Sequence, residues 1–202
     1  MKKIFLNGSI KLIKSKYPEY DDEKLEIISY GLEAIYITIT KTVIIFLLAF
    51  LLGVFKETLL IVIFYNIIRT TAFGMHAKKS WHCYIISGTL FVGMALLCKY
   101  IDLNFYVKLT IYTLSAITVF IYAPADTYKR PLINAKKRKK YKILTMFSCL
   151  IYLVLIIVFK DNAWSNYLVM GLLDASLMIH PLTYRVFQLP YDNYKKYNAP
   201  YS

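Results

Sequence analysis

A chain of 202 residues that is 58% hydrophobic and has a positive mean hydropathy is not expected to be a soluble domain. A net charge of +13 would suit a nucleic-acid binder, but in a membrane chain the same excess belongs to cytoplasmic loops, so no nucleic-acid partner is expected. The three cysteines, Cys83, Cys98 and Cys149, make no disulfide framework, and the last two lie in apolar runs where a thiol usually only packs.

The opening "MKKIFLNGSIKLIKSKY" starts like a signal peptide, but Asn7, Gly8, Lys11 and Lys14 interrupt any continuous apolar core. Leu6, Ile10, Ile13 and Tyr17 instead recur at helical spacing with lysines on other faces. This predicts an amphipathic helix on the anionic inner leaflet, with membrane lipids as partners. A second helix is predicted from "YDDEKLEII", capped by Asp21 or Asp22 and running through Glu33 into the first span. Six apolar spans follow: Ala34–Leu52, Thr58–Phe73, Trp81–Cys98, Phe105–Tyr122, Ile143–Phe159 and Ala163–Ile179. One long polar loop, Ala123–Lys142, separates the fourth from the fifth, and the tyrosine-rich tail "YDNYKKYNAPY" suits an interfacial position.

The expected fold is therefore an all-α integral membrane protein of six transmembrane helices preceded by an interfacial amphipathic helix. It reads as a single domain over 1–202, divided into N-terminal helices (1–33), a six-helix bundle (34–180) and a tail (181–202). With the N-terminus inside, 19 of the 25 Lys and Arg fall in cytoplasmic segments and three in the outer connectors. Both termini and the segment around residue 76 are thus expected to face the cytoplasm of a multi-pass cell-membrane protein.

Between the second and third spans lies "FGMHAKKSWHCY" (73–84), unusually polar for its surroundings. A cysteine acts as a nucleophile only as its thiolate, which a neighbouring imidazole or cation favours. His82 is adjacent to Cys83 and on a helix would point about 100° away. His76 is seven residues upstream, which is two turns and roughly 10 Å on a continuous helix, too far for a hydrogen bond. Catalysis therefore requires the helix to break between them. Gly74, two residues before His76, supplies a stop after which "MHAKKS" can fold back toward the thiol, with Lys78 and Lys79 adding positive potential. A zinc site from His76, His82 and Cys83 has no second cysteine pair to support it, so neither metal nor cofactor is expected. Alternatively, Cys and His in such a connector are incidental.

Several other residues carry two readings each. Arg69 either anchors this loop or pairs with Glu33, against simple snorkelling to the surface. Glu33 either orients His76 or grips substrate, against being merely solvated. Asp174, deep in the sixth span, is expected to face a partner or a polar cavity. The run "KRPLINAKKRKKYK" carries eight positive charges and is either a topology determinant or a contact for an acidic peptide. Pro124 and Pro131 would stiffen the loop, and Asp126 could cap a turn in it.

"RTTAFGMHAKKSWHC" (69–83) resembles the signature of the accessory gene regulator B family, membrane cysteine endopeptidases that process precursors of cyclic quorum-sensing peptides. The matching positions are Arg69, Gly74, His76, Ala77 and Cys83. "YGLEAI" (30–35) and "YAPADTYKRPL" (122–132) resemble two further family motifs, in the family's order. The family often has a glycine pair before the histidine. Here the first is Phe73, a residue that should not replace glycine where φ is positive.

The resemblance implies that Cys83 attacks the carbonyl at the end of the signal segment in an AgrD-like precursor peptide, with His76 as base and then acid. The tail leaves, and a nucleophile within the substrate closes a thiolactone or lactone on the resulting thioester. Arg69, Gly74 and Glu33 would support catalysis, and Lys129, Arg130, Pro131, Lys78 and Lys79 would contact substrate. A homodimer is suggested by analogy. The competing readings are a small transporter or peptide exporter and a non-catalytic membrane scaffold.

Overall fold

In hydrocarbon every backbone N–H and C=O must be satisfied within the chain, so long apolar runs are constrained to be helices. The computed structural model describes residues 2–75, 80–127 and 131–198. Every regular element among these residues is α-helical. The helices are α1 (Lys2–Lys16), α2 (Asp22–Leu51), α3 (Phe55–Ala72), α4 (Ser80–Tyr100), α5 (Phe105–Tyr122), α6 (Ala135–Val158), α7 (Ala163–Ile179), α8 (Pro181–Val186) and α9 (Lys195–Asn198). Three of them, α2, α5 and α6, are long and apolar enough to cross a membrane. Their outer faces carry large exposed apolar side chains such as Phe50, Leu114, Phe120, Phe147 and Val154, a surface that suits acyl chains and not water.

Two compact units are present, Met1–Leu47 and Leu48–Ser202. In the first, Asp21 rather than Asp22 caps α2: its carboxylate accepts from the Lys24 N–H at 2.8 Å. The helix then runs 30 residues without interruption through Glu33. In the second unit α7 is the hub, packed against α3, α4, α5 and α6. Thirteen of its 17 residues are buried, the polar Ser165, Asn166, Asp174 and Ser176 among them. Gly171 sets its approach to α3. A Cβ there would lie 2.8 Å from both the Phe64 Cβ and the Tyr65 N. The two backbones thus touch where a small residue allows it, with Ala175 one turn on and also buried.

Polar side chains cross-link this unit. Lys108, 2% exposed, donates to the Lys160 carbonyl at 2.8 Å and to the Ser165 hydroxyl at 2.9 Å. The Tyr112 hydroxyl donates to the Cys149 carbonyl, and that of Tyr152 to the Phe64 carbonyl at 2.7 Å. Cys98 and Cys149 are buried free thiols. Asp174, expected to face a partner or polar cavity, is fully buried, and neither carboxylate oxygen has a hydrogen-bond partner among the described residues.

One sequence-based boundary is corrected. The polar loop expected over Ala123–Lys142 ends at Asn134, because "AKKRKKYK" forms the first two turns of α6. Lys and Arg are good helix formers, and the Asn134 side chain caps the start by accepting from the Lys137 N–H at 3.2 Å. The run of basic residues therefore lies on a helix and not on a loop.

Candidate functional site

Helix α3 stops where the sequence needs it to. The Phe73 N–H closes the last turn on the Arg69 carbonyl, and the chain then leaves through Phe73 at φ 57° and Gly74 at φ 118°. Phenylalanine thus does adopt a positive φ here, contrary to the expectation from the glycine pair. A non-glycine residue in such a conformation costs about 1–3 kcal/mol and persists only where surrounding contacts impose it. Those contacts are visible: the ring lies edge-on against Tyr141 at 4.9 Å between centroids, and Arg69 holds the Phe73 carbonyl.

Arg69 is the organiser of this turn. Its Nη1 donates to the Phe73 carbonyl and its Nη2 to the Met75 carbonyl, each at 2.6 Å. A planar guanidinium fork is suited to fixing two acceptors at once. Two further segments meet the same turn. The Gly74 N–H donates to the Ala125 carbonyl and the Ala125 N–H to the Ala72 carbonyl, both at 2.9 Å, forming a one-residue parallel bridge. The Met75 N–H donates to Met178 at the end of α7 at 3.1 Å. Ala72, Met75 and Ala125 are all buried. The end of α3, the loop after α5 and the end of α7 thus converge on the backbone immediately preceding His76.

His76, Lys78, Lys79, Lys129 and Arg130 lie outside the described residues. Cys83 and His82 are on the first turn of α4, and their side chains likewise lie outside what is described. Pro131 is half-buried at the far end of the loop that begins at Ala123. Glu33 is held by Lys2 at 2.7 Å, with both side chains 38% exposed. Solvent-screened pairs of this kind contribute about 0–1 kcal/mol. Lys2→Ala is accordingly expected to shift unfolding by less than about 1 kcal/mol, read from thermal melts in detergent.

What sequence reasoning missed is the tail's part in this region. The Tyr184 hydroxyl donates to the Asp126 backbone carbonyl at 3.0 Å, and Tyr184 packs edge-on against Tyr191. Burial pushes both phenols well above the ordinary tyrosine range, so both remain neutral hydroxyls. Asp126 was expected to cap a turn. One of its contacts, from the Leu132 N–H at 3.3 Å, is of that kind, but the others go to the tail. No periodicity or charge pattern signals this contact, because most of its donors are backbone groups.

Residues 7–183 match the sequence profile of the family described as Accessory gene regulator B. An AgrB-like protein of Clostridium acetobutylicum is 31% identical over 197 residues, 98% of this chain and 93% of its own length. One from Listeria innocua is 32% identical over 177 residues, covering 88% of this chain and 87% of the relative. The accessory gene regulator protein B of Staphylococcus aureus is 35% identical over 153 residues, 75% of this chain and 80% of its own. No solved structure matches the chain.

Proposed function

Since this chain belongs to the accessory gene regulator B family, a membrane family of quorum-sensing peptide processing, we propose that it is a cysteine endopeptidase acting on an AgrD-type precursor. Cys83 is the nucleophile and His76 the base that activates it. The observation that carries this reading is the interruption of the helix before His76. α3 ends at Ala72, Gly74 stands at φ 118°, and Cys83 lies in the first turn of α4. The chain has therefore already left α3 two residues before His76, a break that lets the segment carrying the base turn toward the thiol.

The chemistry follows from that placement. A thiol in the first turn of a helix sits where unpaired N–H groups and the helix dipole favour negative charge, which stabilises a thiolate and any oxyanion formed beside it. His76 takes the thiol proton as Cys83 attacks the scissile carbonyl. It then returns that proton to the departing amine, and the signal segment remains as a thioester. A thiol or hydroxyl within the substrate attacks this thioester next. Exchange conserves the activated acyl bond where hydrolysis would discard it. A site that holds the tethered nucleophile at high effective concentration and admits little water favours the ring. Lys78, Lys79, Lys129, Arg130 and Pro131 contact the precursor, and Arg69 and Gly74 hold the turn before the base, with Glu33 in a supporting role.

The membrane arrangement belongs to the same reading. The helices α2 to α7 make six spans with both termini and the catalytic segment on the cytoplasmic side of the cell membrane, α1 lies on the inner leaflet, and the protein assembles as a homodimer. The direct test is to trap the intermediate. Full-length protein in lipid vesicles, mixed with a synthetic AgrD-type precursor and quenched in acid, is expected to carry the mass of the signal segment on Cys83, released by hydroxylamine. Cleavage proceeding with no hydroxylamine-labile adduct would overturn the acyl-enzyme mechanism.

A further inference from the structure

The tail fold-back onto Asp126 has no part in the reaction just described, and its geometry is costly enough to call for a role. Asp126 is 3% exposed, and a carboxyl group so deeply buried is tolerable only when its oxygens find hydrogen-bond partners. Four N–H contacts supply them. Oδ1 accepts from the Asn193 N–H at 2.9 Å and from Asn193 Nδ2 at 3.3 Å. Oδ2 accepts from the Tyr194 N–H at 2.8 Å and from Leu132 at 3.3 Å. That fills the acceptor capacity of a carboxylate.

The same closure is reinforced from α6. The Arg138 guanidinium covers the Tyr194 ring at 4.0 Å while donating to the Leu132 and Ile133 carbonyls at 2.6 and 2.8 Å. One peptide bond before Asp126 stands Ala125, whose carbonyl receives the Gly74 N–H and whose N–H reaches Ala72.

We propose that Asp126 is a positioning residue: its carboxylate latches residues 193–194 of the tail onto the loop after α5, whose Ala125 holds Gly74, and so fixes the backbone leading into His76. This rests on His76 being the base, as argued above. The latch supplies rigidity that the turn itself lacks, since Phe73 and Gly74 both occupy left-handed conformations that a free chain would leave.

The test is a double-mutant cycle. Asp126→Asn keeps the shape but turns an amide toward N–H donors, so one pair of contacts is lost and becomes repulsive. Truncation after Leu189 removes the other half of the latch. With a synthetic AgrD-type precursor that the wild-type chain cleaves in vesicles, each change is expected to lower kcat about tenfold and leave KM within about twofold. The combination is expected to be no slower than the truncation alone, because the truncation already removes the tail groups that Asp126 holds.

Hydrogen exchange supplies a readout that does not depend on cleavage. The Gly74 and Met75 amides are expected to exchange at least about tenfold faster in both variants, with amides in the middle of α7 unchanged. Wild-type kcat in either variant, multiplicative losses in the double variant, or unaltered exchange at Gly74 and Met75 would each overturn the latch. So would loss of the folded, inserted chain in every variant, because the contact would then be holding up the fold and not aiming the turn. A wild-type chain that cleaves no precursor but shows the exchange change sinks the peptidase reading and leaves the latch standing as a structural coupling.

Discussion

Cys83→Ala is expected to abolish precursor cleavage, with a rate loss on the order of 10⁴- to 10⁶-fold, while membrane insertion and precursor binding persist. Removing the nucleophile removes the covalent intermediate altogether, and what remains is whatever the site gains by binding and polarising the carbonyl. His76→Ala should cost a similar factor. The double replacement should cost little more than either one, because nucleophile and base act as a unit. His82→Ala is the control. It neighbours Cys83 on the first turn of α4, and adjacent helical positions project about 100° apart, so the rate should stay within about threefold.

Cleavage followed by mass spectrometry in vesicles, with insertion checked separately, decides the matter. Retained cleavage in Cys83→Ala would favour the scaffold or exporter reading. Uptake of intact precursor by that variant would single out the exporter. A larger loss in His82→Ala than in His76→Ala would mean the base has been misassigned.

Gly74→Ala is the second large effect, and it needs no substitution of a reacting group. At φ 118° an alanine is strained whatever the space around it, and the space is also filled. The added Cβ would collide with Arg69 Nη1 and lie 2.8 Å from the Met178 carbonyl oxygen and 3.0 Å from Ile179 Cγ2. The guanidinium end can swing aside, but only by releasing the Phe73 and Met75 carbonyls that it holds. The Met178 oxygen is backbone and cannot move without shifting the end of α7. The turn must therefore rebuild, and a displacement of about 1 Å near a catalytic base costs about a hundredfold in rate.

A loss of at least that size is expected in cleavage assays. By comparison Gly88→Ala in α4, whose Cβ would meet nothing within 4 Å, should stay within about twofold. Equal rates for Gly74→Ala and the parent chain would show that the turn has no bearing on the chemistry.

Much of the helical layout was written in the sequence, since apolar run length is a one-dimensional property. All six apolar segments coincide with helices to within a few residues at most ends. α2 begins well before Ala34, as the helix expected to run through Glu33 implies, and α6 begins eight residues before Ile143 because lysines extend a helix as readily as they fill a loop. The break before His76 was legible too: a glycine at the end of an apolar helical run is a local stop signal, and Gly74 stands at φ 118°. Its companion at Phe73 was not legible, because local preference argues against a phenylalanine at positive φ. What imposes that conformation is Arg69, Tyr141 and the loop after α5.

The sequence by itself determined the helices, the polar segment joining α3 to α4 and the residue types able to do acyl chemistry, because those depend on composition and spacing along the chain. Only the tertiary structure decided which distant segments hold the turn before His76. Ala125 and Met178 meet it through backbone N–H and C=O groups, and the tail at 193–194 reaches the neighbouring Asp126 through backbone N–H groups. Every residue carries such groups, so no side-chain pattern can announce which ones will meet.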